Sequence, residues 1–200
     1  MTMQIKDSFH HANTDYTIVA CSTPLLFDPR RYGMTPIPYT TACHRGYWCG
    51  YCIKENRLAL QNLFIYSQDK YYPPVANVEA VPEQGKTHIP SRHRVYYGIQ
   101  LPIIYTGRIL VGSDPTPTHY IKGVRNDPWR YKNLKEFVFK NGTVTEIIDH
   151  SETAEDIRKF IRTMSISEPE RGPMGTYVRF HLPLLGFLSN YPWWIELDRK

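Results

Sequence analysis

The chain has 200 residues, a length that suits one domain, and we expect residues 1–200 to form a single domain. Its 16 prolines and 12 glycines, spread along the sequence, nearly exclude long helices before residue 151. Fifteen tyrosines, eight phenylalanines and four tryptophans favour strands instead. The net charge of +5 is a mild basic excess, which is compatible with an acidic partner or nucleic acid but requires neither.

The sequence contains no charged start followed by an apolar core and no apolar run as long as a membrane span. We therefore expect a cytoplasmic protein that makes no contact with a membrane. Four cysteines in this setting favour reduced thiols over a disulfide framework.

The first part of the chain alternates between strand and connection. Residues 16–21 are apolar and β-branched, which predicts a buried strand, and residues 28–40 form a connection rich in proline. Two apolar runs around residues 55–57 predict a hairpin over 47–66. The apolar positions change parity at Gln61 and Asn62, which predicts a bulge there.

The middle of the chain predicts a loop followed by two hairpins. Residues 67–94 are rich in proline, glycine and charge and predict a long loop. Residues 95–112 predict a second hairpin that turns at 106–108. Residues 134–149 predict a third, because Asn141 and Gly142 tolerate the positive φ angles of a type I′ turn.

One helix is predicted over 153–164, with Ser151 or Thr153 as its cap. Its apolar positions are three and four residues apart and form one stripe: Ile157, Phe160, Ile161 and Met164. The basic residues on the remaining surface are interpreted as a solvated face: Arg158, Lys159 and Arg162. The tail at 177–200 is apolar, which predicts either a last strand or a patch that binds a partner. The whole pattern indicates an α+β fold, a mostly antiparallel sheet built from hairpins with one amphipathic helix.

Reactive side chains are concentrated in residues 41–52, which contain three cysteines, a histidine, an arginine and three aromatic residues. The segment Trp48-Cys49-Gly50-Tyr51-Cys52 resembles the Trp-Cys-Gly-X-Cys motif of thioredoxin-like oxidoreductases. That family has a buried strand before the motif and a helix after it, whereas residues 53–66 predict a strand. A redox role is therefore the weaker interpretation.

Zinc is a second interpretation of the same segment. Cysteine thiolates and the imidazole of His44 are zinc ligands, but four of them within ten residues are too cramped for a structural site. A mixed site with His88 or His93 stays open. Strand alternation places Cys49 and Cys52 on opposite faces, so we interpret the cysteines as buried strand residues and predict no metal and no cofactor.

The segment Thr41-Ala42-Cys43-His44-Arg45-Gly46-Tyr47, followed by a strand, a turn at Asn56-Arg57 and Leu58-Ala59-Leu60, resembles a segment of uncharacterised bacterial proteins. Its familiar form is Thr-Ala-Cys-Trp-Arg-Gly-Tyr, so this sequence departs from it at His44. The resemblance covers residues 41–60 of the 200-residue chain and implies the hairpin but no activity. Those proteins usually lack cysteine at the positions of Cys49 and Cys52, which argues against a metal or redox role.

The sequence contains no glycine-rich phosphate loop, no nucleophile elbow and no paired-carboxylate motif. Together with the large supply of aromatic residues, this favours a non-catalytic binding module, such as a small bacterial immunity, antitoxin or accessory protein, whose partner is another protein. Two alternatives are kept. One is an RNA- or DNA-binding protein, and the other is an enzyme with a site around Cys43, His44 and Arg45.

The predicted ligand- or partner-binding residues come from segments in which basic and aromatic side chains are interleaved. They are His44, Arg45, Tyr47, Arg92, Arg94, Trp129 and Arg130. Arg45 is singled out because Gly46 permits a backbone conformation that leaves its guanidinium at the sheet edge. There it would pair with a ligand, or else with an acid of the chain itself. We expect Arg45 and Tyr47 to matter more than the cysteines.

Overall fold

The computed structural model describes residues 4–83, 93–116 and 128–166. This part of the chain is α+β, with a mostly antiparallel sheet and one α-helix. The strands are β1 (Ser8–His11), β2 (Thr14–Cys21), β3 (Tyr47–Lys54), β4 (Arg57–Tyr66), β5 (His93–Pro102), β6 (Gly107–Pro115), β7 (Tyr131–Lys140) and β8 (Thr143–Asp149). The helix is α1 (Ser151–Ile166), and 3-10 turns occupy Pro29–Tyr32 and Pro128–Arg130.

The strands follow one another across the sheet in the order β3-β1-β2-β6-β7-β8-β4-β5. Strand β3 also pairs with β4, so it has a neighbour on each side. It runs parallel to β1 and antiparallel to β4. Strand β3, which begins in the central stretch of the sequence, therefore joins the first hairpin of the chain to β4 and β5.

Two-residue turns connect three hairpins. Both residues of each turn have positive φ angles, as type I′ turns require: Ala12 and Asn13 (49° and 59°), Glu55 and Asn56 (50° and 63°), and Asn141 and Gly142 (51° and 80°). The hairpins predicted over 47–66 and 134–149 are confirmed. The β1–β2 hairpin was missed because the polar N-terminal segment lacks an apolar run.

The predicted bulge lies in β4. Tyr51 is opposite Leu60 and Gly50 is opposite Asn62, so Gln61 is the extra residue. It restores burial on the core face, because Leu60 and Leu63 are both fully buried although their spacing is odd.

The hairpin predicted over 95–112 is wrong, although both of its strands exist. Strand β5 pairs with β4 at the end of the strand order, and β6 lies between β2 and β7. The connection is not a tight turn, because its backbone is bound elsewhere. Ile103 N–H donates to Leu58 O at 2.9 Å, and Tyr105 O accepts from Gly142 N–H at 2.7 Å. These bonds lead the chain away from β5.

The described residues divide into two compact units. The first comprises residues 1–111 and 137–147, and the second comprises 112–136 and 148–200. The core of the first unit is rich in aromatic residues, among them Phe9, Tyr51, Tyr96, Phe137 and Phe139. Strand β2 is less buried than predicted, since Tyr16 is its one buried residue and the others are half-buried or exposed.

The second unit contains the predicted helix, two residues longer at each end than expected. Ile157 is buried, as the apolar stripe requires. Two details were predicted wrongly. Ser151 and Thr153, the predicted caps, both lie within the helix. The side chain that accepts from the first N–H of the helix is instead that of Asp149, whose Oδ1 lies 2.8 Å from Ser151 N. Arg158 is buried rather than solvated, because it donates to the backbone carbonyls of Trp129 and Tyr131, which precede the helix.

Several predictions fall on residues outside the described ranges: the apolar tail at 177–200, Arg92, His88 and the part of the long loop at 84–92. Residues 67–83 contain isolated bridges rather than strands, and 93–94 already belong to β5. The single domain remains a prediction.

Candidate functional site

The central stretch enters β3 through a tight turn that requires glycine. Gly46 N–H donates to Cys43 O at 3.2 Å, and Gly46 has a φ angle of +74°. A Cβ atom on Gly46 would collide with the backbone carbonyl of Ile37. The turn therefore depends on both the left-handed conformation and the missing side chain.

The guanidinium of Arg45 binds a carboxylate of the chain itself. Nη2 and Nη1 donate to Asp7 Oδ1 and Oδ2 at 2.6 and 3.2 Å. Asp7 Oδ1 also accepts from Cys49 N–H at 2.8 Å. Burial opposes the charge of Arg45, but the hydrogen bonds and charge of Asp7 outweigh it and raise the pKa of the guanidinium. The planar fork that the sequence offered to a ligand is thus used to join the segment before β1 to β3.

Tyr47 is also committed to internal contacts. Its ring lies beneath the guanidinium of Arg45, 4.7 Å from the centroid, and its hydroxyl donates to Phe27 O at 3.2 Å. Burial raises the pKa of Tyr47 to about 12, against the opposing charge of Arg45. The hydroxyl therefore stays protonated and holds the segment after β2.

The three residues of the enzyme alternative point to different partners. The thiol of Cys43 donates to Tyr47 O at 3.8 Å, while the side chain of His44 is exposed. His44 N–H donates to Gln4 Oε1 at 2.9 Å. Cys43, His44 and Arg45 are adjacent in sequence but are not brought together around one point.

The cysteines are free thiols in different surroundings. Cys49 is fully buried in the core of the first unit, and burial raises its pKa. Cys52 lies on the opposite face of β3, as the strand alternation predicts. Among the described residues, no group of three or more histidine, cysteine or acidic side chains is placed to hold a metal ion.

The remaining predicted residues make other contacts within their own units. The guanidinium of Arg94 lies 5.4 Å from the ring centroid of Tyr72, and its Nη1 donates to His93 O at 2.8 Å. Trp129 and Arg130 belong to the second unit. Trp129 is buried, and Arg130 O accepts from Thr116 N–H at 2.7 Å. Arg92 is outside the described ranges.

The other face of β3, β4 and β5 displays aromatic side chains that sequence reasoning did not connect. Trp48 and Phe64 stack with ring centroids 4.9 Å apart and planes 7° apart. Phe64 meets Tyr97 edge-on at 6.0 Å. Tyr97 is 52% exposed, and Trp48 and Phe64 are half-buried. Rings of three neighbouring strands therefore form one continuous surface.

A second row of rings extends this surface at the end of β4 and the start of β5. Tyr39, from the connection before β3, packs against Tyr66 and His93 with centroids 5.4 and 5.6 Å apart. His93 also stacks on Trp48 at 5.5 Å. We call this set the aromatic face: Tyr39, Trp48, Phe64, Tyr66, His93 and Tyr97.

Part of the aromatic face could have been predicted from the sequence. Counting back from the turn at Glu55 and Asn56, with one extra residue at Gln61, places Trp48 opposite Phe64, as observed. Both signals, the turn and the parity change, are local. The contribution of Tyr97 was not accessible, because it depends on the pairing of β5 with β4.

The edge of β5 beyond the aromatic face is irregular. Gly98 and Gln100 have φ angles of 68° and 55°, where the pairing with β4 shifts register. Val95 exchanges two backbone hydrogen bonds with Val81 at 2.8 and 2.9 Å. Such features blunt a sheet edge against pairing with a further strand. The side chains of the face, rather than the backbone of the edge, are thus what this region offers to a partner.

Across the described ranges, no helix is long and apolar enough to cross a membrane. No protein-family model matches the sequence, and neither a curated protein nor a solved structure matches it.

Proposed function

We propose that this chain functions by binding another protein and that the aromatic face is its contact surface. The observation that carries the proposal is the exposed ring of Tyr97 beside the stacked pair Trp48 and Phe64. Aromatic side chains with a rigid position and an open face contribute much of the binding energy at protein interfaces. Immunity, antitoxin and accessory roles all depend on such a partner.

The rigidity of the face supports the proposal. Trp48 is held between Phe64 and His93, so its indole is positioned before a partner arrives. A side chain that is already ordered loses little conformational entropy on binding. These rings are thus better suited to binding a partner than the same rings would be on a loop, where they would have to become ordered on binding.

The charges of these strands favour a protein partner over nucleic acid. The cations of β3, β4 and β5 are Lys54, Arg57 and Arg94. Arg94 is opposite Ile65, a core residue, and so lies on the other face. Lys54 and Arg57 lie at the turn end, beyond Gly50 and Cys52. Single-stranded nucleic acid needs cations along the rings to bind its phosphates.

The test compares two exposed apolar residues. Tyr97→Ala removes a ring of the face, whereas Ile104→Ala removes a side chain that is 82% exposed in the connection after β5. A partner captured from the native lysate is identified by mass spectrometry and purified, and its Kd is measured by calorimetry. We expect Tyr97→Ala to weaken binding about tenfold or more, which corresponds to about 1.4 kcal/mol, and Ile104→Ala to leave the Kd unchanged.

Two results would contradict the proposal. One is an equal Kd for Tyr97→Ala and the unsubstituted chain. The other is capture that disappears on nuclease treatment, which would assign the surface to RNA or DNA.

A further inference from the structure

We propose that the partner of the aromatic face carries an acidic segment, and that a row of three cations on the same face of the sheet binds the carboxylates of that segment. The inference rests on the proposed function and adds the chemistry of the partner. The three cations lie where two hairpins turn and are Lys54, Arg57 and Lys140. We call them the cation row.

Strand register places the three cations side by side. Lys54 is opposite Arg57 across the turn between β3 and β4, and Arg57 is opposite Thr143, the first residue of β8. The two-residue turn between β7 and β8 places Lys140 opposite Thr143. Residues directly opposite each other have Cβ atoms about 4.5–5.5 Å apart, so three cations and one hydroxyl group form a single row.

Backbone hydrogen bonds fix the two hairpins to each other at this row. Leu58 N–H donates to Gly142 O at 2.8 Å, and Val144 N–H donates to Asn56 O at 2.9 Å. These bonds flank the pair at the centre of the row, which therefore has the narrower of the two antiparallel spacings. The positions of the cations on the sheet are thus set by the fold.

The cation row and the aromatic face project from the same side of β3 and β4. Leu58, Phe139 and Val144 belong to the core, and each is adjacent in sequence to a member of the row. Because side chains alternate along a strand, the row projects away from the core. Trp48 and Lys54 are six residues apart on β3, an even number, so they share this outer face.

The charges of the row are available to a partner. All three cationic side chains are exposed. Within the described part of the chain, Arg57 and Lys140 make no ion pair and no side-chain hydrogen bond. Lys54 Nζ donates to the neutral Gln100 Oε1 and keeps two further N–H donors.

Acids at neighbouring positions do not neutralise the row. Glu55 lies in the turn between β3 and β4, where its single charge is outnumbered by the three cations. Asp15, on β2, lies 2.7 Å from the imidazole of His10. Glu146 has the parity of Val144 along β8 and so projects from the other face. The turn end of the outer face therefore has a positive local charge.

An uncharged strip separates the rings from the cations. On the outer face it contains Gly50 and Cys52 of β3 and their partners Asn62 and Ala59 of β4. Six residues of strand span about 20 Å. A nucleic acid has phosphates along its whole length and would need cations along this strip. A protein segment can instead place an apolar side chain on the rings and its carboxylates about six extended residues away.

The side chains of the row suit several carboxylates together. The guanidinium of Arg57 can bind one carboxylate through two N–H groups, whereas the ammonium groups of Lys54 and Lys140 act as point charges. A single exposed ion pair contributes little, so a run of acidic residues is required. Such complementarity also accelerates association and selects against basic partners.

The first experiment tests the cation row without the natural partner. Fluorescein-labelled poly-L-glutamate is titrated with the full chain, and fluorescence anisotropy gives the Kd. We expect the double variant Arg57→Ala with Lys140→Ala to bind about tenfold more weakly or worse. The double variant Arg57→Lys with Lys140→Arg keeps the charges and should keep the affinity. Raising the salt concentration to about 1 M should abolish binding, because the Debye length is then about 3 Å.

The matched control removes the same charge from other exposed positions of the first unit. Arg31→Ala with Lys70→Ala should change the Kd less than about threefold. Equal losses in the two alanine double variants, or no binding of poly-L-glutamate at low salt, would overturn the inference. Tighter binding of oligodeoxythymidylate, lost on Arg57→Ala with Lys140→Ala, would also overturn it and assign the row to nucleic acid.

The second experiment separates this inference from the proposed function. The purified partner is titrated with the Tyr97→Ala variant and with the Arg57→Ala, Lys140→Ala double variant. We expect both to weaken binding about tenfold or more, and only the effect of the double variant to disappear at high salt. A loss with Tyr97→Ala alone would refute the acidic segment and leave the proposed function intact. A loss with the double variant alone would contradict the aromatic face as the contact surface.

Discussion

Arg45 and Asp7 form a two-point ion pair across 38 residues of sequence, with N···O distances of 2.6 and 3.2 Å. Asp7 also accepts the backbone N–H of Cys49, so one carboxylate holds a guanidinium and a strand together. The pair therefore explains why the turn before β3 lies against the segment before β1. It assigns Arg45 a structural task within the chain.

Removing one partner of this pair should destabilise the fold. Asp7→Ala leaves the guanidinium of Arg45 half-buried without its carboxylate and removes the acceptor of Cys49 N–H. We expect the free energy of unfolding to fall by about 2 kcal/mol, less than for a fully buried pair because the Arg45 side chain is 35% exposed. Urea unfolding followed by tryptophan fluorescence measures this.

The control is the surface pair Lys132 and Asp114, whose side chains are both more than half exposed. Asp114→Asn should change the free energy of unfolding by less than about 1 kcal/mol. Equal effects of Asp7→Ala and Asp114→Asn would contradict a structural role of the Arg45 pair.

Two glycines with similar φ angles separate backbone strain from steric collision. Gly46 and Gly33 have φ angles of +74° and +76°, but a Cβ atom would meet the carbonyl of Ile37 at Gly46 and nothing within 4 Å at Gly33. Gly33→Ala should cost about 1 kcal/mol, from the left-handed conformation alone. Gly46→Ala should cost about 3 kcal/mol, because the collision is added. Urea midpoints that rank the two variants in the reverse order would disprove this.

Among the basic residues of α1, Arg158 should contribute most to the stability of the second unit. Its Nη1 donates to Trp129 O and Tyr131 O at 2.7 and 2.8 Å, and its Nε and Nη2 bind Glu155. Arg158→Ala leaves carbonyls without donors at a buried site, which should cost about 3 kcal/mol. Lys159→Ala, on the exposed side, should cost less than about 0.5 kcal/mol. Loss of helical circular dichroism at lower urea concentration in Arg158→Ala alone is the expected result.

Asp69 should make stability depend on acid pH. Its carboxylate accepts from Ser67 Oγ and Thr35 N–H at 2.6 Å each, and these bonds lower its pKa below the ordinary 3.8. The stabilisation is full above the unfolded-state value and is lost as pH falls through the lower folded-state value. Asp69→Asn should therefore be about 1 kcal/mol less stable at neutral pH. Urea unfolding at a series of pH values should show the two proteins converging in acid, and a constant difference would refute the prediction.

Local sequence determined the hairpins at 47–66 and 134–149, the helix and the bulge. In each case neighbouring residues carried the signal: Asn141 and Gly142 accept positive φ angles, and the parity change at Gln61 follows from burial on one face. Spacings of three and four residues around Ile157 marked the helix. These features required no knowledge of distant contacts.

The candidate sites were predicted less completely. The sequence identified residues 41–52 and placed Cys49 and Cys52 on opposite faces, and it named an acid of the chain as one partner for Arg45. It did not identify that acid as Asp7, nor Tyr97 as the neighbour of Phe64. Each contact joins two segments that are distant in sequence, and no local periodicity of the sequence indicates which distant segments meet.

Only the tertiary structure decided which strands became neighbours. Strand β5 joins β4 rather than β6, and β1 lies between β2 and β3, which places His10 beside Cys52. Arg158 is buried because the carbonyls of Trp129 and Tyr131 need donors, not because of its own position in the helical pattern. Turn and helix signals are properties of residues that are close in sequence. Strand order depends instead on which distant backbone N–H and C=O groups form hydrogen bonds with one another, and no local sequence pattern specifies those pairs.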